Sequence, residues 1–411
     1  MEIEIGRGKK ARRAYGFDDI AIVPSRRTRD AEDVDIGWKL GPYLLELPLL
    51  ASAMDGVVSP TIAIQLGKLG GLAVLNLEGI WTRYADADKQ LDRIAKSTPG
   101  EATKLMQQLY AEPVKPELVA QRIQEIKAAG VLVAASLTPQ RVREYHAIAL
   151  EAGLDILVIQ GTVVSAEHVS EKTTPLNLKE FIGEVPVPVI AGGCASYQTG
   201  LHLMRTGAAG VLVGVGPGAA CTTRGVLGLG VPQATAIADV AGARSTHMLE
   251  TGEYVQVIAD GGMRTGGDVS KAIACGADAV MIGSPLARAY EAPGRGFHWG
   301  MATFHPSLPR GARVQTVQNG SIEQILQGPA HENDGSFNLM GALRTSMATT
   351  GYKDLAEFNR AELMIAPALQ TEGKALQSAQ GVGMGSRGAS ASAHPGTENG
   401  AVEKAPALSE A

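Results

Sequence analysis

The sequence predicts a (β/α)8 barrel, on the number, spacing and character of its short apolar runs. Eight such runs can be read in order: Leu49–Ala53, Leu72–Leu75, Val131–Ala135, Ile156–Ile159, Val187–Ala191, Gly210–Val213, Val255–Ala259 and Ala279–Ile282. They are continuous rather than alternating, as expected of parallel strands covered on both faces. Within the pairs Leu49/Leu72, Val131/Ile156, Val187/Gly210 and Val255/Ala279 they recur every 23–25 residues, room for a strand, a loop, a helix and a second loop. Eight units point to a closed barrel, and two Rossmann-like halves are the alternative topology.

Two connections break the rhythm. Between the second and third runs, Tyr84–Ala129 is charged and helix-periodic, which predicts a helical insertion over about residues 80–129. The connection between the sixth and seventh is also long, and it contains Cys221. Residues 1–385 are expected to form the barrel domain. From Ser386 to Ala411 the chain is rich in Ala, Ser, Gly and Glu and predicts a disordered tail, because it buries too little to offset its ordering entropy.

Composition excludes several classes. Hydrophobic residues make up 45% and charged residues 19%, enough for a large core. A net charge of -5 gives no basic footprint for nucleic acid, and the basic run Arg7–Arg13 is read as a solvated arm. Cys194, Cys221 and Cys275 are too few and too scattered for a disulfide framework, and no Cys or His pair has zinc spacing. With no apolar leader and no run of membrane-spanning length, a soluble cytoplasmic protein is expected.

Barrel enzymes work at the C-terminal ends of their strands, and many hold phosphate after the seventh and eighth. The seventh run ends in Asp260-Gly261-Gly262 and the eighth in Gly283-Ser284. Glycine backbone N–H groups can approach a phosphate closely, Ser284 can add a hydroxyl, and Asp260 has acceptor oxygens for a ribose diol. The plainer alternative makes Gly283-Ser284 a helix cap and Asp260 a turn residue. After the sixth run comes Gly214-Val215-Gly216-Pro217-Gly218-Ala219-Ala220-Cys221-Thr222-Thr223-Arg224. Such a loop can carry Cys221 to a ligand as a nucleophile, with Arg224 and backbone N–H groups favouring the thiolate; a buried structural cysteine is the alternative.

Taken together these stretches resemble the IMP dehydrogenase/GMP reductase family, from Phe17-Asp18-Asp19-Ile20 through Ala348. The resemblance rests on Phe17 to Pro24, Ser52-Ala53-Met54-Asp55, the cysteine loop, Val231-Pro232-Gln233, Asp260-Gly261-Gly262, Gly266 through Asp268, Gly276 through Ser284, and Glu291-Ala292-Pro293-Gly294. It implies a thiolate at Cys221 that attacks C2 of a purine monophosphate, while hydride passes between C2 and a nicotinamide dinucleotide, NAD(H) or NADPH. By the same resemblance Thr223 assists the leaving or entering group, and Asp260 accepts from the ribose. Gly262, Gly283 and Ser284 hold phosphate, Ser52 and Met54 line the nucleotide, and Gly300-Met301 meets the base. Gln160 and Gly193 fall at cofactor-binding positions. Carbonyls of Gly216, Gly218 and Cys221 match those that hold potassium in many members. Homotetramers or homo-octamers are implied too.

The departures bear on the reaction. The connection after the second strand is too short for paired CBS modules, Ala219 replaces a phosphate-contacting serine, and Gln160 and Gly193 replace an acid and an asparagine. Arginine stands in Arg310-Gly311-Ala312-Arg313, where the family has Glu or Gln. After Gly300-Met301, Ala302 through Pro309 carries no Arg-Tyr pair of the kind dehydrogenases use to activate water, and Phe304 stands where reductases place a glutamate. His298 or His305 could supply proton transfer instead. The resemblance is to a CBS-less bacterial branch, and the expected activity is NADPH-dependent reductive deamination of GMP to IMP. NAD-dependent oxidation of IMP to XMP is the alternative, and a purine-nucleotide-binding pseudoenzyme a third reading.

Overall fold

The computed structural model describes residues 2–171, 175–300, 313–366 and 373–383. Eight parallel strands close into a barrel: β1 (Leu49–Ala51), β2 (Leu72–Asn76), β3 (Ala134–Leu137), β4 (Ile156–Gln160), β5 (Val189–Cys194), β6 (Gly210–Val213), β7 (Gln256–Asp260) and β8 (Ala279–Ile282). Each pairs with the next in sequence, and β8 returns to β1 through Val280↔Leu49 and Ile282↔Ala51. The strands are buried along almost their whole length, which is why their sequences are apolar on both faces. The (β/α)8 expectation holds, and two separate halves are excluded.

All eight expected strands are present, with their ends moved by hydrogen bonding. The third begins at Ala134 rather than Val131, because Val133 N–H donates to the Asp155 carboxylate at 2.9 Å while Val131 packs against α1 (Pro60–Lys68) at Gly67. The fifth begins at Val189 rather than Val187 and runs on to Cys194, past the end of its apolar run. Hydropathy marks where a segment is buried, and the ladder begins where backbone groups find each other.

The insertion is helical, as expected, but narrower than 80–129. It contains α2 (Ala87–Lys96) and α3 (Pro99–Ala111), the latter started by Pro99 and a Thr98/Glu101 capping box. The third helix, α4 (Pro116–Ala128), packs against both α1 and α5 (Val142–Glu151) and so serves as the barrel's own second helix. The basic N-terminal run is solvated, as expected, but it is folded rather than loose. Glu2–Gly6 and Lys9–Arg12 form an antiparallel hairpin, and Arg12 pairs with Asp239 at 3.0 Å. Among the described residues no helix is long and apolar enough to cross a membrane. The tail Ser386–Ala411 lies outside the described residues.

Candidate active site

A cavity of about 750 Å3 opens at the C-terminal ends of the strands. It is lined by Ser52 and Met54 after β1, Gln160 at the end of β4, the loop after β6, and the glycine turns after β7 and β8. The topology therefore gathers residues more than two hundred positions apart, as the barrel rule requires.

The cysteine loop is held from both ends. Gly214 N–H donates to Cys194 O at 2.8 Å, and Gln233 Nε2 donates to Val213 O at 2.7 Å and Asp260 O at 3.1 Å. A Cβ on Gly214 would stand 2.1 Å from Asp260 O, so only glycine lets the loop leave β6 this close to β7. Cys221 then lies at the pocket wall with its side chain exposed, unlike Cys194 and Cys275, which are buried and whose thiols burial pushes up to about 12. Its thiol donates to Thr223 Oγ1 at 3.2 Å, and Thr223 is the first residue of α6 (Thr223–Leu227). The Cys221 thiol is thus open to whatever enters the cavity, as those of the two packing cysteines are not. Arg224 lines the same cavity, and its Nη2 donates to Val231 O at 2.8 Å.

After β8, Gly283 lies against Met54 and Ser52, where an added Cβ would meet the Met54 sulfur at 2.7 Å. Ser284 Oγ is 2.8 Å from His298 Nε2. The His298 ring is buried, burial lowers its pKa to about 4, and its Nδ1 finds no hydrogen-bond partner among the described residues. A neutral ring pays least if the unpartnered Nδ1 is the bare acceptor. Nε2–H then donates to Ser284, leaving the serine O–H free for a ligand. So low a pKa makes His298 a poor acid–base catalyst near neutrality and a good fixed donor. Its place beside Ser284 is a feature that the glycine motifs alone did not disclose.

Asp260 sits at the pocket floor, where burial lifts its carboxyl to about 7; the hydrogen bond from Gln160 Nε2 to Oδ2, at 3.1 Å, works the other way. Gln160, expected at a cofactor position, is thus joined to the expected ribose residue and lines the cavity with it. Gly193 is not among the residues lining the cavity: its N–H donates to Gly161 O at 3.1 Å and its carbonyl accepts from Val164 N–H at 3.0 Å, behind the wall. Gly262 and Gly300 line the cavity as expected, while Met301, the segment Ala302–Pro309 with its His305, and Arg310–Ala312 lie outside the described residues. Arg313 does not line the cavity, and its Nη2 donates to Ser97 O at 2.9 Å.

No group of three His, Cys, Asp or Glu side chains among the described residues suits a metal ion. A potassium site would rest on the carbonyls of Gly216, Gly218 and Cys221, and that of Gly218 already accepts from Cys221 N–H at 3.0 Å. For a dinucleotide, the same cavity extends past the nucleotide-sized end to Thr138–Gln140 and Gly161–Val163, so the room fits.

One further cluster borders the pocket. Asp55, next to Met54, is buried; its Oδ2 accepts from Ile80 N–H at 3.1 Å and from the Tyr110 hydroxyl of α3. Trp299 Nε1, next to His298, donates to the same Tyr110 oxygen at 2.8 Å.

Comparison with known proteins agrees with this geometry. Residues 14–375 match the model of the IMP dehydrogenase / GMP reductase domain. An oxidoreductase of Mycolicibacterium smegmatis, described as uncharacterized, is 49% identical over 372 residues, covering 88% of this chain and 99% of that one. Inosine-5'-monophosphate dehydrogenase of Methanocaldococcus jannaschii is 27% identical, over 88% of this chain and 95% of its own. The crystal structure of an IMP dehydrogenase/GMP reductase-like protein from Corynebacterium glutamicum superposes with a TM-score of 0.84 at 47% identity, covering 89% of this chain and 97% of that one.

Proposed function

Because the chain belongs to the IMP dehydrogenase/GMP reductase family, we propose that it exchanges a hydride at C2 of a purine ribonucleoside monophosphate through a covalent adduct on Cys221. The observation that carries this reading is the exposed Cys221 thiol, set beside Thr223 in a cavity that also holds Asp260 and Ser284. Ser284, made a donor by His298, and the Gly262 and Gly283 turns hold the phosphate; Asp260 accepts from the ribose. With both ends fixed, C2 is presented to the cysteine. The Cys221 thiolate adds to C2, and the Thr223 hydroxyl beside the sulfur orients the group that enters or leaves. A bound nicotinamide dinucleotide supplies or accepts the hydride.

In one direction IMP loses hydride from C2, and water then displaces the sulfur to give XMP. In the other, GMP loses ammonia from C2, hydride arrives there, and the sulfur departs to leave IMP. We take IMP oxidation as the reading to test first, since it is the activity named for the Methanocaldococcus relative and for one from Cryptosporidium parvum, 28% identical over 378 residues. GMP reduction is the second reading. It is favoured by the sequence Ala302–Leu308, which carries no Arg-Tyr pair, and by chemistry that needs no activated water.

The test is the near-ultraviolet absorbance of the reduced nicotinamide, with products separated by chromatography. IMP plus NAD should give sustained reduction matched by XMP. A burst of one equivalent per active site, together with many turnovers of GMP plus NADPH, would reverse the direction. Absence of both would remove the enzymatic reading and leave a nucleotide-binding protein.

A further inference from the structure

We propose that Gln160 belongs to the ribose subsite of the purine nucleotide, where its amide holds Asp260 and its Oε1 accepts a ribose hydroxyl. This rests on the nucleotide reading above and adds a specificity determinant to it.

The first support is position. Gln160 ends β4, Asp260 ends β7, and Met281 lies in β8. In the closed ring of strands β4 and β8 face each other across the barrel. Yet Gln160 Nε2 reaches both Asp260 Oδ2 at 3.1 Å and the Met281 sulfur at 3.8 Å. The side chain therefore crosses the barrel mouth and forms part of the cavity floor, where it is buried but still lines the cavity. A group there meets whatever enters deepest.

The second support is an unmet hydrogen bond. The amide turns its nitrogen to Asp260 Oδ2, and this fixes Oε1 on the other side. Gln160 Oε1 is buried, with no hydrogen-bond partner among the described residues. Buried amide oxygens are nearly always satisfied, and an orphan bordering a cavity calls for a donor from a ligand. Asp260 beside it is also an acceptor. Two adjacent acceptors match two adjacent donors, and the vicinal diol of a ribose has that pattern. A deoxy sugar has one hydroxyl fewer and leaves an acceptor dry, which penalises binding roughly ten- to hundredfold.

The experiment is calorimetric binding of IMP, 2′-deoxy-IMP and 3′-deoxy-IMP, without cofactor, to the full chain and to Gln160→Leu, with Gln160→Met as a second variant closer in shape. The wild type should prefer IMP over both deoxy forms. In the variants IMP affinity should fall roughly tenfold or more, and preference over at least one deoxy form should shrink toward unity. A merely structural glutamine would not move that ratio. KM for the nicotinamide dinucleotide should stay near the wild-type value. Unchanged ratios and IMP affinity in both variants, or a raised dinucleotide KM with nucleotide binding intact, would overturn the assignment. Failure of the wild type to bind IMP or GMP at all would instead remove the nucleotide reading, and this inference with it.

Discussion

Asp260 should make the ligand-free protein less stable at high pH than it could be, and Asp260→Asn should reveal by how much. Burial lifts its carboxyl from 3.8 to about 7, the hydrogen bond from Gln160 notwithstanding. Between those values the folded chain holds a proton that the unfolded chain has released, so stability falls as pH rises through this window and levels off above about 7. At about 1.4 kcal/mol per unit, a shift of this size corresponds to about 4 kcal/mol, an upper figure because water in the open cavity screens the charge. Asparagine keeps the shape and lacks the charge. The variant should therefore be more stable than wild type by about 2–4 kcal/mol at pH 8 and by nothing at pH 4. The assay is denaturant unfolding of both proteins across that range, read as a difference so that other titrating groups cancel. Asp55, which burial lifts to about 6, and His298, which burial lowers to about 4, are present in both. The same substitution should weaken nucleotide binding at least about tenfold, since a charged acceptor is lost from the ribose subsite. A variant no more stable than wild type at pH 8, or a gain that does not change with pH, would refute the reasoning.

Cys221→Ser should lower turnover by about three orders of magnitude or more while nucleotide binding persists, because an alkoxide is far scarcer than a thiolate at neutral pH; a steady-state assay beside calorimetry checks this. His298→Phe keeps a ring but removes the partner of Ser284, so the monophosphate should bind about tenfold more weakly while inosine, which lacks the phosphate, binds as before. Tyr110→Phe removes the hydroxyl shared by Asp55 and Trp299 and should cost about 2–3 kcal/mol in denaturant unfolding. Deleting Ser386–Ala411 should leave the melting temperature and activity within error, since that composition offers no core.

What could be read from the sequence followed from local rules. The eight strands were legible because strands covered on both faces must be apolar throughout, and Asp260, Gly262, Gly283, Ser284 and Cys221 because their motifs lie just beyond strand ends. Residues whose part depends on reach across the barrel were not legible. Gln160 ends a strand like any other residue, and only the closed ring shows its amide crossing to β7. Gly193 differs for the opposite reason: it follows an apolar run in sequence, yet it lies within β5, its backbone groups pair with Gly161 and Val164, and it does not line the cavity. His298, set beside two aromatics, gave no periodic signal, and its pairing with Ser284 comes from a hairpin linking Phe297–His298 to Val314–Gln315.

The insertion connects these observations. Its sequence is charged and helix-periodic, and two of its contacts reach the chain that borders the pocket. Tyr110 of α3 grips Asp55 and Trp299, the neighbours of Met54 and His298, and the carbonyl of Ser97, after α2, accepts from Arg313. Trp299 and Arg313 stand on either side of residues 301–312, so α2 and α3 hold the chain before and after that segment. Arg313 also lies over the Phe297 ring at 3.9 Å, which ties the strand carrying His298 to the same point. Buried polar links of this kind hold one geometry because leaving any member unpaired is expensive. The helices that stand between β2 and α4 thus brace the end of the cavity that carries Ser284. Tyr110, His298 and Arg313 thereby form one connected set, joined through Phe297–Trp299 and reaching the cavity at Ser284 rather than at the cysteine.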